Sequence, residues 1–166
     1  MSNFQEYFKA NQELWNQRTR IHKDSDFYNL SSFKKGENAL TSIELAELGD
    51  VIGKTILHLQ CHFGMDSLSW SRMGAEVTGV DLSDEAIKEA NKLNDELGLN
   101  ATFICSNVYD LKEHLDKKFD IVFTSYGTIG WLPDLDKWAA IISHFLKEGG
   151  IFYIADFHLV VLMFDD

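Results

Sequence analysis

Proline occurs once in this 166-residue chain, cysteine twice, and lysine plus arginine total 15 against 26 aspartate plus glutamate. A single proline and the lack of any low-complexity tract exclude a collagen-like or proline-rich chain. Two cysteines are too few for a disulfide-stapled secreted scaffold. Cys61 and Cys105 both lie in apolar, strand-like runs, and the expectation is a pair of buried free thiols in a reducing cytosol. The net charge of −11 argues against a nucleic-acid partner, which needs clustered basic residues to neutralise phosphates. No apolar run approaches the roughly 18 residues that cross a bilayer. The N-terminal MSNFQEYFKANQELW lacks the basic-then-apolar layout of a secretory signal. These absences point to a soluble, cytoplasmic protein with no nucleic-acid or membrane partner.

What is present reads as one domain in two parts. Residues 1–50 form a helical cap. An amphipathic helix around Trp15 gives way to a loop in NQRTRIHKDSD, and a second helix runs from Ala39 to Leu48 before Gly49. Residues 51–166 then alternate strictly between apolar strands and amphipathic helices. KTILHL, EVTGVD, ATFICS, FDIVFTS and IFYIADF read as strands. Between them lie a short helix in GMDSLSWSRMG and a longer one after Ser83, an N-cap residue. A last helix in LDKWAAIISHFLKEGG carries Leu135, Trp138, Ile142, Phe145 and Leu146 on one stripe and stops at Gly149. Near-continuous apolar strands alternating with helices specify a Rossmann-like, doubly wound α/β fold with a mainly parallel sheet. Ligands of such sheets bind beyond the carboxyl ends of the strands, where the strand order reverses. The loops at 60–66, 81–84, 106–110, 124–133 and 156–158 are therefore the places to look.

The first of these loops, QCHFGMD, enters a helix at Gly64, where a tight turn brings the backbone close to a ligand. Asp81 ends the second strand seventeen residues later, in the right place to accept hydrogen bonds from a ribose diol. Asn107 follows the third strand. Its amide either pairs with an adenine edge, with Val108 packed on the ring, or closes a local turn. TSYGTIGWLPD, after the fourth strand, supplies an aromatic, glycine-containing loop around Tyr126, Gly127, Gly130 and Trp131. A dinucleotide would need closely spaced glycines for its diphosphate, and Gln60 and His62 stand where those glycines would be. His58, Cys61 and His62 do not make a zinc site, because strand alternation separates them and a second ligand pair is missing.

Taken together, ILHLQCHFG, VTGVDLSDEAIKEA, SNVYDL and the segment from Phe119 to His158 resemble the class I S-adenosylmethionine-dependent methyltransferases over residues 51–158. The family's first motif, acid-x-Gly-x-Gly-x-Gly, corresponds here to His58, Gln60, His62 and Gly64, so the acid and two glycines are replaced. The resemblance implies S-adenosylmethionine as cofactor and a small-molecule methyl acceptor. It implies cofactor contacts at Gln60, Cys61, His62, Gly64, Asp81, Leu82, Asn107, Val108, Ser125 and Tyr126. It also makes Trp15, Arg18 and Tyr28 contacts of a cap closing over the cofactor.

The sulfonium methyl is already activated, so the protein has mainly to position the acceptor and exclude water. His62, Tyr28 and His158 are candidate general bases by position. The family's sheet usually has seven strands, and this chain reads to five, in the order 3-2-1-4-5. That leaves the apolar strand IFYIADF, followed by LVVLMF, as an edge able to pair with another chain. A homo-oligomer through that edge and the C-terminus is the expectation. Two functions fit: a truncated methyltransferase of a small molecule, or a non-catalytic cofactor-binding or dimerisation module of the same fold.

Overall fold

The computed structural model describes residues 4–158 and residue 160. The chain begins with three helices, α1 (Gln5–His22), α2 (Leu30–Lys34) and α3 (Ser42–Leu48). The alternating part follows as β1 (Thr55–Leu59), α4 (Met65–Arg72), β2 (Glu76–Asp81), α5 (Asp84–Glu96), β3 (Thr102–Cys105), β4 (Phe119–Ser125), α6 (Leu135–Phe145) and β5 (Leu146–Ala155). All four strand pairings are parallel, and the sheet order is β3-β2-β1-β4-β5. Alternation implied a doubly wound parallel sheet, and the order 3-2-1-4-5 expected with the family resemblance is the order observed.

Strand alternation divides the core. Ile56, Val77, Ile121 and Phe123 point to one face, where they pack with Leu68 and Trp70 of α4 and Leu93 of α5. Leu57, Leu59, Val80 and Val122 point to the other, against Val108, Leu111, Trp138, Ile142 and Phe145. Burial on both faces is why these strands read as continuous apolar runs. Side-chain caps fix four helix starts: Asn29 accepts from Ser32 N, Thr41 from Ile43 N, Ser83 from Ala86 N, and Asp134 from Lys137 N.

Several local expectations need correction. α1 runs on through the NQRTRIH segment expected as loop, because that segment packs its inner face along α5. α2 went unforeseen; Asn29 starts it from a left-handed φ of 43° and caps Ser32 N. α6 ends at Phe145 rather than at Gly149, since pairing between Phe119 and Leu146 draws the chain into β5 first. Leu135 is half exposed, and Ile141 takes the buried place beside Trp138. Cys61 is buried, whereas Cys105 is exposed because β3 is an edge strand. The LVVLMF run, apart from Val160, lies outside the described residues.

Candidate functional site

The carboxyl ends of β1, β2 and β4 open into a cavity of about 700 Å³, roofed by α1 and by the 27–43 segment. That volume falls within the roughly 300–1,000 Å³ of small-molecule and cofactor sites. Its floor is the turn after β1. Gln60 and His62 occupy left-handed backbone, with φ of 57° and 50°. Each therefore adopts the conformation that favours glycine while carrying a side chain, at about 1–2 kcal/mol apiece. Gly64, φ 78°, is different in kind: a Cβ there would lie 2.7 Å from the Phe103 ring. The turn thus keeps a glycine-type path with one glycine.

Long-range bonds hold this path. The Cys61 amide donates to Val80 O at 2.9 Å, and the Gln60 side chain donates to Thr128 O at 3.1 Å. The His62 amide donates to Asp81 Oδ2 at 2.7 Å, while the Ser83 amide donates to Asp81 Oδ1 at 2.8 Å. Burial raises the Asp81 carboxyl above the usual carboxylate range, opposed by the amides of Ser83 and His62. The His62 ring lies against Trp15 and Tyr28, and its Nε2 pairs with His22 Nδ1 at 3.0 Å. Burial, then His22 and Arg18, push the His62 pKa down to about 3, so the ring is neutral. His58, buried and bonded to Ser67 Oγ through Nδ1 at 2.8 Å, is likewise held neutral by burial, at about 3.

The cap is tied to the same loops. Gln12 Nε2 donates to Leu82 O at 3.1 Å. Asn16 accepts from Ser83 Oγ at 2.6 Å and donates to Asp84 Oδ1 at 2.7 Å, across the start of α5. Arg20, Lys23 and Lys34 pair with Glu85, Glu89 and Glu96 along α5. Trp15 meets Trp131 edge-on, with the Arg18 guanidinium 5.1 Å from both rings.

On the far side of the cavity, the Ser125 hydroxyl donates to Asp66 Oδ2 at 2.9 Å. Burial lifts the Asp66 carboxyl to about 6, with the Ser125 bond opposing the rise. The Tyr126 hydroxyl lies 3.3 Å from Thr41 Oγ1, and its ring packs on Phe157. Asp156 fastens this loop by accepting from the amides of Gly127, Thr128, Ile129 and Phe157.

All ten residues expected to contact the cofactor line this one cavity, and so do Trp15 and Tyr28. Arg18 reaches it only through the two tryptophans. His158 is exposed and does not line it. The Asn107 side chain accepts from Tyr109 N at 3.1 Å, closing a local turn, and the residue also lines the cavity. Burial and then Asp81 raise the Cys61 thiol well above its ordinary value, which disfavours the reactive thiolate. Sequence reading passed over Asp66, Thr41, His22 and Asp156. An acid two residues after the turn glycine is a signal that could have found Asp66.

A family model described as a methyltransferase domain matches residues 56–150. The chain belongs to the class I S-adenosylmethionine-dependent methyltransferases. The ubiquinone biosynthesis O-methyltransferase of Chromobacterium violaceum is 30% identical over 128 residues, covering 77% of this chain and 53% of that protein. Among solved structures, the DhpI–SAH complex matches at 21% identity with a TM-score of 0.65, over 90% of this chain and 69% of that one. The plantazolicin methyltransferase BamL, solved with a desmethylPZN analogue and SAH, matches at 24% identity with a TM-score of 0.63, over 96% and 57%. These two structural likenesses concern the fold. The chain spans about half the length of the curated relatives it matches. Among the described residues, no helix of this methyltransferase chain is long and apolar enough to cross a membrane.

Proposed function

We propose that this chain transfers a methyl group from S-adenosylmethionine to a small-molecule acceptor inside the cavity over β1 and β4. The observation that carries the reading is the bond from the His62 amide to Asp81, which makes the turn after β1 and the acid after β2 one unit. In this reading Asp81 engages the ribose, while the Asn107 NH2 group and Val108 meet the adenine. The turn from Gln60 to Gly64 faces the methionine half, with Leu82, Ser125 and Tyr126 completing the wall. The cofactor, when bound, supplies an electrophilic methyl. The chain's own residues orient the acceptor and, through Trp15 and Tyr28 of the cap, exclude water. The curated relatives, named as O-methyltransferases of ubiquinone biosynthesis, support a small-molecule acceptor. Calorimetric titration with S-adenosylhomocysteine tests the reading: saturable binding is expected in the wild-type chain and not in Asp81→Ala. A folded wild-type chain that binds neither this product nor S-adenosylmethionine would refute it.

Homo-oligomerisation belongs to the same proposal. Ile151, Phe152 and Ile154 of β5 are 48%, 37% and 38% exposed, an apolar surface that supports pairing with a second copy. A monodisperse monomer in light scattering would count against it. A cytoplasmic setting is supported by the two cysteines, which are free of disulfides.

A further inference from the structure

Resting on the reading of this cavity as a methyl-transfer site, we propose that Asp66 takes up the acceptor's proton and that the acceptor is an uncharged phenol. Charge selects the class first. Among the described residues, the ionisable carboxyl groups lining the cavity are Asp66, Asp81 and, exposed at the rim, Glu37, and no lysine or arginine lines it. A carboxylate or phosphate on the acceptor would be desolvated beside like charges with no cation to pair it.

Position selects the residue. β4 lies on the opposite side of β1 from β2, so Ser125 and Tyr126 face the cavity from the side away from Asp81 and Asn107. On that side Tyr126 packs on Phe157, and the carboxylate is Asp66, bonded to Ser125; Tyr28, Phe33 and Ile43 add to the apolar lining of the cavity. A phenol ring suits such walls, and its hydroxyl then needs one polar partner. The other groups at the cavity are poorer bases. Both Asp81 oxygens accept from amides; His62 and His58 each keep one ring nitrogen unpaired, but burial holds both imidazoles at about 3; and the Tyr28 hydroxyl, pushed up to about 12, stays protonated. Asp66 receives one hydrogen-bond donor among the described residues, the Ser125 hydroxyl on Oδ2, which leaves Oδ1 for the acceptor.

The step balances. The phenol oxygen bonds to the methyl carbon, the carbon–sulfur bond breaks with its electron pair left on sulfur, and the phenol proton passes to Asp66. Positive sulfonium and negative carboxylate both end neutral. Burial, with the buried Glu44 carboxylate of α3 adding to the rise against the Ser125 bond, lifts Asp66 to about 6, which suits a base that is ionised at neutral pH yet still basic.

The test uses the whole chain saturated with S-adenosylhomocysteine and reads quenching of tryptophan fluorescence, since Trp15 and Trp131 line the cavity. The probes are 4-methylphenol and its anionic counterpart, 4-methylbenzoate. Saturable binding of the phenol and none of the benzoate is expected. Phenol affinity should rise on the order of tenfold from pH 5 to pH 7.5, as one charge-assisted hydrogen bond forms. Asp66→Asn should bind S-adenosylhomocysteine normally and lose that pH dependence, and Ser125→Ala should move its inflection upward. Equal binding of benzoate, absence of phenol binding, or an unchanged pH profile in Asp66→Asn would overturn the proposal. So would loss of S-adenosylhomocysteine binding in Asp66→Asn alone, which would put Asp66 on the cofactor instead. Failure of the wild-type chain to bind S-adenosylhomocysteine would be a failure of the underlying reading, seen before any phenol is added.

Discussion

The backbone amide of His62 and the carboxylate of Asp81 meet at 2.7 Å, joining two loops that are nineteen residues apart in sequence. His62 sits at a positive φ of 50°, and the acid compensates that strain by accepting the very amide it presents. Asp81→Ala should therefore do more than remove a ligand contact. With the amides of His62 and Ser83 both losing their acceptor, we expect about 2–3 kcal/mol of lost stability. Urea unfolding checks this, and a change below about 0.5 kcal/mol would show that the turn stands without Asp81.

Asn16 gives a second prediction. Its amide caps the start of α5 from α1, accepting from Ser83 Oγ and donating to Asp84. The ion pairs beside it, Arg20–Glu85, Lys23–Glu89 and Lys34–Glu96, are partly exposed and contribute little singly. Asn16→Ala should cost about 1–2 kcal/mol and speed amide hydrogen exchange in α1 more than in the sheet. Lys34→Gln should change neither beyond about 0.5 kcal/mol.

Much of this was legible in the sequence, because it depends on local signals. Strand runs such as EVTGVD and FDIVFTS match β2 and β4 residue for residue, and Ser83 caps α5 as its position foretells. The less legible features depend on residues distant in sequence. His22 and His62 are forty positions apart, and neither imidazole announces the other. A positive φ at Gln60 or His62 cannot be inferred from residue type, since type argues the opposite. Cys105 reads as core until the sheet order makes β3 an edge. Gly149 reads as a helix stop, but pairing with Phe119 claims Leu146 before the helix can reach it. Asp66 reads as an ordinary first-turn acid of α4 until folding brings Ser125 beside it.

Asp156 is the anchor of the loop after β4. Burial works to raise its carboxyl, but the amides of Gly127, Phe157, Ile129 and Thr128 outweigh it and hold the group below the ordinary carboxylate range. An acid depressed in the folded state stabilises the fold above its unfolded pKa, and that contribution is lost as pH falls through the lower, folded value. Asp156→Ala should thus destabilise the chain by about 1–3 kcal/mol at pH 7 and loosen the loop carrying Tyr126 and Trp131. As the pH drops below the ordinary carboxylate range the difference from wild type should shrink. Thermal melts at pH 7 and pH 3 make the comparison, and an equal difference at both would refute the assignment.

Asp66 carries the opposite sign. Its carboxyl, ordinarily at 3.8, is lifted to about 6 chiefly by burial, so the unfolded chain gives up this proton more readily than the folded one. Below the unfolded value both states are protonated and the group is neutral in the balance. As pH rises from about 4 to about 6, ionisation costs the folded state progressively, and above the folded value the whole cost is present. Partial solvent access reduces that cost to about 2 kcal/mol. Asp66→Asn removes it while keeping the shape of the side chain and a partner for Ser125. The variant should be more stable than wild type by about 1–2 kcal/mol at pH 8 and indistinguishable from it at pH 4. Urea midpoints at the two pH values decide the matter. A variant less stable at pH 8 would mean that the Ser125 bond outweighs desolvation and that the carboxylate is there to hold the loops. A gain would mark Asp66 as a group kept at a cost to the fold, as expected of a residue retained for its chemistry.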